Sequence, residues 1–262
     1  MVCSLDIKVE QRDGVSFLKD AYVTQPFRIV PVGQYRRDKA AYLMIMSSSP
    51  GLLDGDDHRL EVKVAENSKL QLQTQAYQRL FHMRDKSTQT MAINLEKGAA
   101  FAYVPHPVVP QNSSTFISHN IVNLAEDCQF LLSDIVTCGR KMSGEQFEYN
   151  HFQNLTEVFV DNEMVLKDNV LLQPELMPIQ GLGILEGFTH QGTLIYCNTA
   201  NVSVEEYITY FHAQYKDVEN IVFGISKTEQ DGFVVRILGY GAEQLFNIFQ
   251  EIQQKLWSEL FL

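Results

Sequence analysis

Leu131-Leu-Ser-Asp134-Ile-Val-Thr-Cys138-Gly139-Arg140-Lys-Met-Ser-Gly144-Glu145-Gln-Phe147 is the stretch on which the reading of this chain turns. Its first half is the apolar run of a buried strand, interrupted by an acid at Asp134. A glycine-arginine pair and a glycine-acid pair follow, and then an alternating strand through Phe147, Tyr149 and Phe152. Gly139 and Gly144 accept the positive φ that other residues resist, so the spacing predicts a hairpin or a sheet corner. Arg140 and Glu145 are placed to pair across it. On residues alone this is a structural corner. Asp134 stands out because a charge within an apolar strand is costly unless it is paired or wet. Alternation puts Ser133 and Asp134 on opposite faces, which leaves a solvated face open as the alternative.

Outward from this stretch, period-2 alternation broken by turns dominates as far as about Asn198. Strands are expected over 4–10, 15–22, 41–47, 60–64, 70–74, 88–95, 101–103, 115–123, 129–137, 145–156 and 164–172. Asp13-Gly14, Asp54-Gly55-Asp56, Glu66-Asn67-Ser68, Lys97-Gly98 and Asp161-Asn162 supply the turns. The fold expected is mainly β, with many short strands in stacked, layered sheets, a sandwich or a solenoid-like array. Turns of polar-polar-small form hint at repeated hairpins, and no strict repeat length can be counted. Pro50 to Asp57 reads as a loop, and Pro105-His106-Pro107 with Pro110 forces extended backbone without ladder donors.

After Gly192 the period changes. A strand over 193–197 leads to Ser203-Val204-Glu205-Glu206, a capping box opening a helix over 204–215. Two strands, 221–226 and 233–238, flank the turn Gln230-Asp231-Gly232, and a final helix over 242–260 carries Leu245, Phe249, Ile252, Leu256 and Leu260 at helical spacing. Two parts are therefore expected: a β-rich body over 1–192 and an α+β part over 193–262 packed on it, holding the two substantial helices.

Composition narrows the function. The 262 residues carry a net charge of −11, and no basic run is longer than the two residues of Arg36-Arg37, which argues against nucleic acid as a partner. Asp6, Lys8 and Glu10 rule out a signal-peptide core at the N-terminus. The longest uncharged run, 98–125, is broken by three prolines and is no membrane helix. A cytoplasmic protein with its four cysteines, Cys3, Cys128, Cys138 and Cys197, reduced is expected.

A search for chemistry finds no catalytic constellation. None of the seven histidines stands in a metal-ligand spacing, and there is no Cys-x-x-Cys. Gly181-x-Gly183 lacks the third glycine of a dinucleotide loop and reads as a turn. Carboxylates at sheet corners remain: Asp56, read as a turn cap, Asp134, Glu145 and Asp168, the last on an ordinary exposed face.

Asp-x-x-x-x-Gly-Arg-x-x-x-Gly-Glu-x-Phe, here Asp134 to Phe147, resembles the signature of the UreD/UreH urease accessory proteins. Ser49-Pro50-Gly51-Leu52-Leu53-Asp54-Gly55-Asp56 resembles that family's Ser-Pro-Gly-Gly-Leu-Leu-x-Gly-Asp segment, with one glycine in place of two. Thr74 to Phe81 and Val104-Pro105 resemble its Thr-rich turn and Leu-Pro step, in the same order. His106 stands where the family often has glutamine, and the last third matches in pattern only. The resemblance implies a non-enzyme that binds apo-urease and a UreF-like protein, through which the GTPase UreG brings nickel. It also implies an internal watery passage for nickel in transit, with no tightly bound cofactor. Carboxylate oxygens and water suit such a passing ion better than thiolates, which would hold it. Carried over residue by residue, the passage candidates are Asp134 and Glu145, then Asp56 and Asp168. Pro50, Gly51, Gly55, Gly139, Arg140 and Gly144 form the structural motif. The alternative is a β-rich glycoside hydrolase or sugar-binding domain using Asp134 and Glu145 as paired carboxylates, which need a separation of roughly 5 to 9 Å.

Overall fold

Alternating sequence becomes strand along most of the chain, and the way the strands are joined sets the architecture. The computed structural model describes residues 1–33 and 37–262; Arg36 of the Arg36-Arg37 pair lies outside the described residues. The chain begins with an antiparallel hairpin, β1 (Val2–Arg12) and β2 (Val15–Val23), about Asp13-Gly14. β3 (Phe27–Pro31) then pairs antiparallel with β4 (Ala41–Ser47), in a second sheet. From β4 the chain winds between the two sheets. β5 (Asp57–Val64) lies in the first sheet and β6 (Lys69–Thr74) in the second. After the short β7 (Gln78–Leu80), β8 (Ser87–Leu95) returns to the first and β9 (Ala100–Tyr103) to the second. The short β10 (Val108–Pro110) precedes β11 (Thr115–Leu124) in the first, β12 (Gln129–Thr137) in the second and β13 (His151–Val160) in the first.

Neighbours within each sheet therefore come from successive coils and run parallel, as β1, β5, β8, β11 and β13 do in the first sheet. β4, β6, β9 and β12 do the same in the second. Turns of the form polar-polar-small link the sheets rather than closing hairpins. Asn67, Gly98 and Asp127 occupy the left-handed position of three successive turns. The turns stack, with the Asn67 N–H donating to the Lys97 carbonyl and the Gly98 N–H to that of Glu126, both at 2.9 Å. At the opposite end β7 and β10 make a third, narrow parallel ladder that reaches β12 at Val136 and Leu52 by a single bridge.

The antiparallel β14 (Glu163–Leu172) closes the first sheet beside β13. The change of pattern after Gly192 falls inside β15 (His190–Asn198), which pairs with β12 and so continues the second sheet. α1 (Glu205–Tyr215), the hairpin of β16 (Ile221–Lys227) and β17 (Gly232–Gly239), and α2 (Ala242–Leu256) follow, with a wider final turn over Trp257–Phe261. The first sheet thus has seven strands, and the second ten with β7 and β10 counted. α2 lays Leu245, Phe249, Ile252 and Leu256 on the outer face of the second sheet, against Leu131, Ile135, Leu194 and Val235. The Trp257 Nε1–H donates to the Tyr42 hydroxyl at 2.8 Å and pins the last turn. No helix among the described residues is long and apolar enough to cross a membrane.

The mainly β fold with two helices is as the sequence predicts. Three local readings change. The strand expected over 145–156 begins at His151, because 138–150 is an irregular corner that carries the chain from the second sheet to the first and closes no hairpin. α1 begins at Glu205 with Val204 before it and no side-chain cap, so the Ser203 box is not made; Glu205 and Glu206 in the first turn still favour that end electrostatically. β3, β7 and β10 are too short or too irregular for periodicity to show.

The Ser49-Pro50-Gly51 segment has a structural task in this winding. The Leu52 N–H donates to the Arg79 carbonyl at 2.8 Å, and the Phe81 N–H to the Leu52 carbonyl at 3.0 Å. A Cβ on Gly51 would run into that same Arg79 carbonyl oxygen. Gly51→Ala should therefore cost about 1–3 kcal/mol in urea unfolding, as a forced contact does in a packed interior.

Candidate functional site

Between the two sheets the inner side chains are sorted by height. Along β11 they read Phe116, Ser118, Asn120, Val122, Leu124, and along β13 Phe152, Asn154, Thr156, Val158, Val160. β12 runs Phe130, Leu132, Asp134, Val136, and β14 Leu166, Asp168, Val170, Leu172. The apolar ends belong to two separate clusters, one under the stacked turns and one near the corner. A polar layer lies between them. Strand register aligns it, since Asn120 pairs with Thr156 in parallel and Thr156 with Asp168 in antiparallel fashion, on one rung of the first sheet. Asp134, Thr193 and Arg236 share one rung of the second.

These two rungs face each other. Asn120 donates through Nδ2 to Asn154 Oδ1 and Thr156 Oγ1, each at 3.0 Å. Arg236 spans the gap: its guanidinium donates to both oxygens of Asp168 on the first sheet and to Thr193 Oγ1 at 2.6 Å on the second. Asp134 stands deep between the sheets while keeping some surface open to water. Burial above all, and then the Asp168 charge, push its carboxyl up to about 7; Arg236 and Asn154 act in the opposite direction.

Asp168 is accordingly not on an exposed face. It is buried in the ion pair, on the inward phase with Val170 and Leu172, while Lys167 and Asn169 point out. Neither face of β12 is solvated either, since Ser133 is buried on the same side as Leu131 and Ile135, against α2. Glu145 lies apart, at the corner. Its Oε2 accepts from Arg140 Nε at 2.9 Å and Nη2 at 2.5 Å, and its Oε1 accepts from the Asn112 N–H at 2.9 Å. Gly139, at φ 119°, lets the chain turn tightly against the Pro110 and Glu145 carbonyls, and Gly144 closes the one-turn helix over Lys141–Ser143. Asp56 caps its own loop: its Oδ2 accepts the Leu53 N–H at 2.9 Å, and the N-terminal ammonium lies 3.3 Å from Oδ1. Pro50, Gly51 and Gly55 shape the same loop. The structure thus brings Asp134 and Asp168 into one layer and gives Glu145 and Asp56 local partners at its margins.

Sequence reading missed most of this layer: Ser118, Asn120, Asn154, Thr156, Thr193 and Arg236. The signal was present as polar residues on the inner phase of strands that are otherwise apolar on that phase. A second polar rung joins Cys3, His58, Gln89, Ser118 and Asn154 across the first sheet. His58 and Gln89 line a cavity of about 570 Å³ that also meets Tyr103, Gln78 and the Pro50-Gly51-Leu52 loop. Burial lowers the His58 pKa, so its imidazole is neutral at neutral pH. Among the described residues no three His, Cys, Asp or Glu side chains are grouped as a metal cage. The four cysteines are buried, and burial raises the Cys138 thiol pKa, so this thiol is not activated. The glycosidase alternative loses its geometry: Glu145 is engaged at the corner, Asp134 faces Asp168, and Trp257 is packed under α2 where no sugar reaches it.

A coiled β scaffold with helices on one side and hydrogen-bonded polar groups in its interior is the class that this fold and this layer define. The model of the UreD urease accessory protein family matches residues 2–261. A urease accessory protein UreD of Flavobacterium johnsoniae is 48% identical over 257 residues, covering 98% of this chain and 93% of its own. One from Acetivibrio thermocellus is 32% identical, covering 97% and 96%, and one from Actinobacillus pleuropneumoniae serotype 5b is 31% identical, covering 94% and 93%. The chain belongs to the UreD urease accessory protein family, and so stands among the factors of urease maturation and not among enzymes.

Two outcomes test this geometry. At the corner Arg140 is half exposed and Glu145 is buried, so removing the arginine strands the charge that water cannot reach. Arg140→Ala should cost about 2–4 kcal/mol, more than Glu145→Gln, which leaves a cation free to turn to solvent. In the interior, the folded protein holds the Asp134 proton more tightly than an unfolded chain, whose aspartate titrates near 3.8. The stability this proton confers is complete below 3.8 and is lost as pH rises through about 7. In urea unfolding the stability of wild type relative to Asp134→Asn should fall by roughly 2–4 kcal/mol across that window, the opposing titration of buried His190, whose pKa is lowered to about 4, cancelling in the difference.

Proposed function

We propose that this chain binds apo-urease together with a UreF-like protein and, through it, the GTPase UreG, and that its interior polar layer passes nickel ions towards urease. The observation that carries the reading is the layer itself. Two carboxylates, amides and hydroxyls stand between two apolar clusters, where a folding chain gains nothing from charge. Oxygen donors with a single carboxylate free of an ion pair suit a divalent ion that must also leave. Asp134 is that carboxylate. Near neutral pH it exchanges a proton for a cation at little cost, and over several ångströms it attracts a divalent ion without being needed to build the fold. Asp168, Asn154 and Thr193 would share the ion with water. Asp56, at the loop beside His58 and the larger cavity, would act at one margin, and Glu145 would hold the corner in shape. Nickel here is cargo, and no resident cofactor is required.

Asp134→Ala should leave co-purification with UreF and UreG intact while lowering nickel-dependent urease activation several-fold. Glu145→Ala should lower complex yield and activation together. Normal activation by an Asp134→Ala complex of normal yield would remove that residue from the route and leave the scaffold reading standing.

A further inference from the structure

We propose that Arg236 is a built-in competitor of the passing cation, placed to keep the interior acids from trapping it. The proposal rests on the reading above in taking a divalent cation as the ligand. Arg236 occupies the position that a cation between Asp168 and Thr193 would take, and its guanidinium already satisfies both. The two partners differ in freedom. The Asp168 side chain is 11% exposed and fixed on its strand, whereas the Arg236 side chain is 44% exposed at the mouth of a cavity of about 360 Å³. Gly224 and Ser226 on β16 line that cavity, and a Cβ on Gly224 would meet nothing nearer than the Arg236 carbonyl at 4.0 Å. The guanidinium therefore has room and water to swing into, whereas Asp168, which lines the same cavity, is short and held on its strand.

Two carboxylates facing each other in a water-poor layer would by themselves form a bidentate oxygen site that holds a divalent ion. With Arg236 docked, Asp168 is withdrawn from that site and Asp134 alone attracts the incoming ion. When the ion reaches Asp168 the guanidinium is displaced towards the cavity, and its return displaces the ion in turn. One positive charge tethered to β17 thus makes the position a crossing point instead of a sink.

The test is equilibrium titration of the purified full-length chain with Co²⁺ and with Ni²⁺, beside nickel-dependent urease activation in the assembled complex. Arg236→Gln removes the charge and the two-nitrogen fork while keeping a polar side chain, and should bind Co²⁺ about tenfold tighter or more than wild type. Adding Asp134→Asn should abolish the gain. Arg236→Lys keeps a charge and loses the fork; it guards against a folding failure in the glutamine variant and should gain a few-fold. Arg236→Gln should also lower activation at limiting nickel, because the ion is retained. Unchanged affinity in both Arg236 variants, or tighter binding with undiminished activation, would overturn the proposal. Failure of the passage reading is seen separately, as normal activation by Asp134→Ala.

Discussion

Register between successive coils is the constraint on which the rest of this structure depends. A parallel ladder tolerates no slip, since a shift by one residue turns every inner side chain outward. Here the ladder is held at one end by the stacked turns, where Asn67, Gly98 and Asp127 take the same left-handed conformation and their backbones bond from coil to coil. At the other end the Leu52–β7–β10 ladder fixes the coils again, and Gly51 provides the clearance it needs. Because both ends are aligned, inner residues of equal height meet across the strands. Phe116 and Phe152 stack into one apolar cluster and Val122 and Val158 into the other, and the polar residues between them have nowhere to go but each other.

That layer is costly to fold and is built to limit the cost. Asn120 meets two acceptors, and Asp168 is paired with Arg236. Asp134 is left with burial above all, and then repulsion from Asp168, which the arginine and Asn154 only partly offset, so it answers by holding its proton to about 7. A chain selected for stability alone would carry leucine or valine at these positions, which fill similar volume without desolvating charge. The same arrangement explains why the corner and the layer divide the acids between them. Glu145 is fully engaged in shaping the bend that carries the chain from one sheet to the other, and the charge with freedom to respond lies inside.

The C-terminal segment completes the second sheet and seals its outer face. β15 pairs with β12 and brings Thr193 into the layer, and β17 brings Arg236 beside it. α2 then covers β12 from outside, with Phe249 resting on Gly192, where a Cβ would stand 2.9 Å from the ring. The segment that looked in sequence like an appended α+β part therefore supplies two of the three residues of the second sheet's polar rung.

The sequence by itself determined the class of fold, the two helices, the turns and the corner pair Arg140–Glu145. Each of these is local: period 2 against period 3.6, left-handed glycine and asparagine, and two charges five residues apart need no knowledge of what lies across the molecule. It also marked Asp134, as a charge in the middle of an apolar run. It did not show that Asp168 is buried, although Asp168, Val170 and Leu172 share one phase, because alternation tells that two faces differ and not which of them is covered. Nor did it show Arg236 beside Asp168, 68 positions earlier. Only the coiling of β11 to β14 against β12, β15 and β17 puts those charges together, since contact across two sheets depends on coil register and sheet order, and no spacing along the chain encodes either.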